Sequence, residues 1–415
     1  MIKRILISFS AVVCSSTFAA AQSPDTATLS AVVISATKSP ASRISLTQPV
    51  TVITGEQLRS RGITRVSDAL RTVPGAILVE NGSTGSVNSM FLRGGESRYT
   101  KVLIDGVPVN APGGFFDFSH LTVDNIERIE IVRGPASVVY GADAVSGIVQ
   151  IFTRQGRGAF NMSAEGRAGN RGSREITLDA NGSNKLLRYS LGGGARRTDG
   201  IFFLNNNYYN GTLSGSAGIT PGQGSDLLVS ARYTDAEYHY PTDFTGAPID
   251  SNSYRVQHRL TVSIDGKRDL SDKVGLRLRA GTNEVSDLTE DIFQPFSVQP
   301  PPPMRHSASM SRNKRRNVEA GFVVHLPHAS TFNAGAEYVA ESERADNSEG
   351  PVGGSDSPTS SFDADRRNTA FYTEMVANSE SGSSWTLSAR RDDNSDYDAF
   401  NTYRAGISVP GGQSS

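Results

Sequence analysis

The sequence predicts two architectures in one exported chain: a small α+β domain over residues 47–155, then a transmembrane antiparallel β-barrel over 156–415. Three observations predict this. An export signal opens the chain, a mixed helix–strand grammar stops near Gly156, and period-two alternation follows without helical periodicity. Charge is balanced, 41 Lys and Arg against 42 Asp and Glu, so no nucleic-acid footprint is visible.

Lys3 and Arg4, the apolar run Ile5 to Val13 and the small residues Ala19-Ala20-Ala21 make a Sec-type signal peptide over 1–21, cleaved before Gln22. The single cysteine, Cys14, lies inside it, so the mature chain offers no disulfide framework and no thiolate metal site. Beyond the signal no apolar run approaches the ~20 residues of a membrane helix. That leaves a soluble exported protein or a barrel whose alternating strands escape hydropathy detection.

Residues 22–46 read as linker around an apolar, β-prone stretch, Ser30 to Thr37, flanked by "SPDTATLS" and "KSPASR". "VTVIT" predicts a strand. "TRVSDALRTVPG" predicts a short helix with Val66, Ala69, Leu70 and Val73 on one face, stopped by Pro74-Gly75. "FLRGGESRYTKVLIDGVPVN", Phe91 to Asn110, predicts a compact hairpin with a charged, glycine-bearing tip and a second turn at Asp105-Gly106. "IERIEIVRGP" is a strand with Ile126, Ile129 and Ile131 as its apolar contributors. "SVVYGADAVSGIVQIFTR" adds a turn of helix, a loop and a last strand.

After Gly156 about twelve alternating strands follow. Val274, Leu276, Leu278 and Ala280 oppose Arg277 and Arg279; Val256, Leu260, Val262 and Ile264 oppose Gln257, Arg259, Thr261 and Ser263. Trp385, Leu387 and Ala389 repeat the theme. Alternation alone also suits a soluble sandwich. The connections favour the barrel: short links ("NGSN", "DGKRDLSDK", "LPHAS", "NSESGSS") alternate with long polar ones at Thr234–Ser253, Asp287–Arg312 and Glu341–Arg366. An arginine-bearing face suits a wet lumen, and closure satisfies every backbone group in hydrocarbon.

"LSAVVISATK", "VSDALRTVPG", "FLRGGESRYTKVLIDGVPVN", "NIERIEIVRGPASVVYGADAVSGIVQIFTR", "RRNTAFY" and "SARRDDNS", in this order and spacing, resemble a TonB-dependent outer-membrane receptor along the mature chain. The cobalamin (vitamin B12) receptor subgroup is most similar, in "SVNSMFLRG", "YGADAVSGIVQI" and "RRDDNS"; ferric-siderophore receptors share much of the same region. The resemblance implies that 47–155 is a plug filling the barrel and that its apical loops meet the ligand. It carries ligand contact to Val87, Ser89, Glu96, Gly114 and Phe115. Glu96 stands where an amide is expected and Phe115 where a hydroxyl is, so the two depart from the cobalamin pattern. It implies that Arg93 and Arg133 pair with barrel glutamates, expected in barrel strands outside this sequence. It makes Ser30, Ala31, Val32, Val33, Ile34, Ser35, Ala36 and Thr37 the TonB box, the segment an energising partner grips by strand addition.

The implied setting is the outer membrane of a Gram-negative-type bacterium, with TonB, outer-membrane lipid and a small nutrient, cobalamin or a ferric siderophore, as partners. No cofactor is expected. A calcium site is not expected either: "LNNNYY" carries asparagines where carboxylates are wanted, and "YHYPTDFTGAPID" retains Tyr238 and Asp250 but has His239 at another position where the resemblance expects an acid. The histidines sit singly or in turns and no serine occupies a G-x-S-x-G elbow, so no catalytic residue is assigned. A passive porin or adhesin barrel is the alternative of another class; it would lack plug and TonB box. About twelve strands of the 22 expected for a plugged transporter read as a fragment: signal, plug and the first part of a barrel.

Overall fold

A computed structural model describes residues 32–33, 37–38, 41–42, 46–242, 246–293 and 303–409. The signal peptide, its cleavage site, and Ser30, Ala31, Ile34, Ser35 and Ala36 lie outside the described residues.

The first strands are short: β1 (Val32–Val33) pairs antiparallel with β2 (Ala41–Ser42). The predicted "VTVIT" strand is β3 (Val50–Thr54), followed by α1 (Gly55–Ser60), where Thr54 and Gln57 form a reciprocal capping box. The predicted amphipathic helix is α2 (Val66–Leu70); Val66, Ala69, Leu70 and Val73 are buried, as their spacing requires. Next come β4 (Ala76–Glu80), β5 (Asn88–Leu92), β6 (Thr100–Ile104), β7 (Val107–Pro108), β8 (Ile126–Arg133), α3 (Ser137–Tyr140) and β9 (Gly147–Thr153).

Five of these strands form one sheet in the order β3-β8-β9-β6-β7, with β6 and β9 parallel. β8 lies in the sheet interior, and its three isoleucines are fully buried; so is Glu130, which Arg128 satisfies through Nε at 2.7 Å. Leu58, Leu70, Met90, Leu92, Phe118 and Ile151 complete one core cluster, and Leu46, Val50, Leu103, Val132 and Ile148 belong to a second.

The hairpin predicted over Phe91–Asn110 forms only at its second turn, Asp105-Gly106, where β6 pairs with β7. β5 pairs with β4 in a separate two-stranded sheet, while β6 joins the main sheet beside β9. Local pattern marks both strands and the glycine turn correctly. Pairing partners are set by which edges the core leaves open, and here β4, paired with β5, and β9, paired with β6, come from elsewhere in the chain.

The second half is one 12-stranded antiparallel sheet in sequence order: β10 (Asn161–Ala168), β11 (Arg174–Ser183), β12 (Leu187–Thr198), β13 (Tyr208–Ile219), β14 (Ser225–His239), β15 (Tyr254–Asp269), β16 (Val274–Phe293), β17 (Arg305–Leu326), β18 (Ser330–Pro351), β19 (Ser357–Asn378), β20 (Ser384–Asn394) and β21 (Phe400–Ser408). Among the described residues β10 and β21 are its edges. Alternation sorts the faces as predicted. Ile264, Leu278 and Leu387 point away from the plug and are exposed, whereas Ser263, Arg279 and Ser388 face it and are buried.

The long polar links are shorter than predicted. β17, β18 and β19 run 22 residues each, so most of Glu341–Arg366 is paired strand closed by a turn at 352–356. These strands exceed the ~9–11 residues that a transmembrane strand needs, and residues 357–365 of β19 are exposed on both faces. Polarity there reports solvent on both faces, not loss of strand.

Candidate functional site

The apical end of the α+β domain is built from two loops. One runs from Arg93 to Tyr99 between β5 and β6; the other, Asn110 to Phe118, follows β7. Asn110 organises the second: its Oδ1 accepts from the Val102 amide at 2.7 Å, and its Nδ2 donates to the carbonyls of Thr100 (3.0 Å) and Gly114 (2.7 Å). Gly114 has φ +90°, and a Cβ there would stand 2.5 Å from the Arg98 carbonyl oxygen. The two loops touch because this residue has no side chain.

Glu96, Gly114 and Phe115 are thereby brought together. Glu96 is exposed and ion-paired with Arg98 at 2.7 Å, and Phe115 is 38 % exposed. Phe116 is not available: it packs edge-on against Phe118, ring centroids 4.7 Å apart, under the Arg259 guanidinium. Val87 and Ser89 are half-buried on the other flank. They reach the second loop through Asn88, whose amide donates to Asp117 Oδ1 at 3.0 Å and whose carbonyl accepts from Phe118 N.

The barrel wall meets these loops with cations and hydroxyls. Arg255 bridges Asp117 (3.2 Å) and Asp287 (2.7 Å), and Arg259 donates to the Val109 carbonyl at 3.0 Å. His120 lies against Tyr208, Nδ1 to hydroxyl 3.3 Å; burial pushes its pKa down to about 4. Deeper, Arg196 grips Asp124 by two hydrogen bonds of 2.7 and 2.9 Å, and Arg232 donates to the carbonyls of Thr122 and Asp124. At the β6–β7 turn the Asp105 carboxylate accepts from Thr153 N (2.9 Å), Thr153 Oγ1 (2.8 Å) and Ser230 Oγ (2.6 Å). Arg279 closes over Gly106, whose φ is +82°.

The segment after Ser30–Thr37 is held at the opposite end. Lys38 Nζ is 2.7 Å from Glu319 and 4.2 Å from the Tyr372 ring centroid, and its amide donates to Glu374 at 2.9 Å. Val32 and Val33 of the predicted box lie in β1, and Thr37 is buried. Arg93 and Arg133 hydrogen-bond to backbone, Arg93 to the Arg133 carbonyl (3.3 Å) and Arg133 to the Pro74 carbonyl (3.2 Å).

At the outer loops weighed for calcium, Asn205 is the hub. Its Nδ2 donates to the carbonyls of Tyr240 (2.8 Å) and Ser253 (3.0 Å), and its Oδ1 meets His239 Nδ1 at 2.8 Å.

Residues 42–148 match the family model described as TonB-dependent Receptor Plug Domain. The fold is a TonB-dependent-receptor plug followed by part of its barrel. Solved structures agree on that fold. The siderophore receptor PirA from Acinetobacter baumannii is 18% identical, with 86% of this chain and 58% of that chain covered and a TM-score of 0.66. The ferripyoverdine receptor of the outer membrane of Pseudomonas aeruginosa, bound to ferripyoverdine, is 13% identical, covering 92% and 56%, TM-score 0.71. The ferric citrate transporter FecA is 17% identical, covering 88% and 60%, TM-score 0.63. The chain thus spans under two thirds of the length of each.

The resemblance assigned plug–wall contacts to Arg93 and Arg133; the inward arginines that grip the plug here, Arg196, Arg232, Arg255 and Arg259, were not singled out. Their signal was present: each stands on the polar parity of its strand. What parity cannot supply is which plug carboxylate or carbonyl lies opposite.

Proposed function

We propose that this chain is a TonB-dependent outer-membrane receptor that takes up a ferric siderophore or similar iron chelate. The observation that carries the proposal is a plug lodged on the polar face of a sheet whose other face is apolar. A porin-like or adhesin barrel has no use for a domain that fills its lumen. The iron-chelate reading draws on the solved neighbours, which are receptors or transporters for a siderophore, ferripyoverdine and ferric citrate. Glu96 and Phe115 support it from the other side, since both depart from the cobalamin pattern.

The ligand is read to enter from the apical end, contacting Glu96, Gly114 and Phe115, with Val87 and Ser89 at the flank. Release inward needs work, because tight ligands leave slowly. That work is read to come from TonB gripping Ser30–Thr37, immediately before the anchored Lys38. Cobalamin is the second reading, favoured by "SVNSMFLRG" and "YGADAVSGIVQI". Equilibrium binding to the purified chain in detergent, with cobalamin against a panel of ferric siderophores, tests the choice. Saturable binding of a ferric chelate is expected; saturable binding of cobalamin alone would overturn it.

A further inference from the structure

The outward face of β17–β19 changes character at a single hydrogen-bonded row. Below it the strands present Val318, Phe322, Tyr338 and Phe371, all more than 40 % exposed. From Val318 to Leu326 the chain covers close to the ~9–11 residues that a tilted strand needs to cross a bilayer core. The row itself is Arg316, Ala340, Arg367, directly paired across three strands. Above it, on the same face of β17, stand Lys314 and Arg312.

These cations are not equivalent. Lys314 is ion-paired with Glu284, and Arg344 with Asp346 at 2.9 Å. Arg316 and Arg367 are both exposed, and neither has a carboxylate within 4.0 Å among the described residues. Two strand spacings, roughly 10 Å, separate their backbones, with only the Ala340 methyl between them. Long guanidinium side chains can converge across that gap on one tetrahedral anion, offering paired N–H donors. A free cation at the rim of an apolar band faces headgroups, and the attraction there is to lipid anions.

We propose that Arg316 and Arg367, across Ala340, bind the phosphate headgroup of a membrane lipid, with its acyl chains lying on Val318, Tyr338 and Phe371. The site rests on the barrel reading above and is independent of the nutrient carried.

The test equilibrates the 415-residue chain in dodecyl maltoside micelles doped with phosphatidic acid or phosphatidylcholine, then measures lipid retained after gel filtration. The parent should retain phosphatidic acid at least about fivefold over phosphatidylcholine, and R316Q/R367Q should bring the two near parity. R316K/R367K, which keeps the charge and loses the fork, should fall between them. Glycerol phosphate at equal phosphate concentration should displace little, since it lacks the chains that rest on the apolar band. Unchanged preference in R316Q/R367Q would overturn the site, and full displacement by glycerol phosphate would overturn the lipid as its occupant. A parent that binds no detergent would sink the barrel reading and the site together; one that binds detergent without lipid preference would sink the site alone.

Discussion

Arg196 and Asp124 meet through two short hydrogen bonds with little water around either; their side chains are 10% and 3% exposed. Removing one partner leaves a buried charge without compensation, so Arg196→Met should cost ~3–5 kcal/mol, whereas removing both as Arg196→Met with Asp124→Leu should cost much less. Urea midpoints of the plug transition check this; equal losses in single and double variants would refute it. His120 supplies a pH-dependent counterpart, flanked by Asp117 and Arg255. Its pKa falls from 6.5 in the unfolded chain to about 4 in the folded one, so between those values the unfolded state binds more protons. The stability that neutral His120 supports is therefore complete above pH ~6.5 and is lost as pH falls toward 4. His120→Gln keeps a polar partner for Tyr208 and should flatten the melting temperature between pH 4 and 6.5; an unchanged slope would assign the dependence elsewhere.

Two elements carry the proposed transport cycle. The apical loops depend on one close approach, at Gly114, where a Cβ would strike the Arg98 carbonyl; beside it Gly113, with φ +87°, has nothing within 4 Å. Gly114→Val should separate the loops and weaken ligand binding by about tenfold or more, while Gly113→Asn, which tolerates that φ, should change it little. Similar affinities for the two would place the ligand on the outer barrel loops. The N-terminal segment offers a complementary test. Proline at both Val33 and Ile34 removes two ladder donors, so strand addition by TonB should fail. Ligand binding should survive and uptake in cells should stop. Uptake at the parental rate would leave passive passage as the better account.

At the scale of the whole molecule, the proposed receptor makes the sheet a wall between two solvents. Phe371 lies on the outward face within the apolar band and is 61% exposed, whereas Met310 is outward but beyond the band. Arginine at Phe371 should lower folding stability in lipid by ~2–4 kcal/mol, and arginine at Met310 by ~0–1 kcal/mol. Refolding titrations into lipid vesicles compare them, and equal costs would contradict this placement of the band.

Much of this architecture was legible residue by residue. Period-two alternation separated Leu278 from Arg279, and helical spacing placed Val66, Ala69, Leu70 and Val73 inward, because both periodicities are local geometry that any core or lumen must respect. The glycine-bearing tip within Phe91–Asn110 marked an apical turn, because a tight turn is local geometry too. Three things were decided only by tertiary structure. β5 and β6 part into different sheets, since backbone pairing depends on which edges are open at assembly. The polar reaches of β17–β19 stay paired strand, since polarity measures solvent and not conformation. And the plug is gripped by Arg196, Arg232, Arg255 and Arg259, whose partners at Asp124, Thr122, Asp117 and Val109 lie some 70 to 150 positions earlier in the chain. Sequence by itself determined which way each side chain faces; only the folded chain decided what each one meets, because a charge on a strand is local and its counter-charge is not.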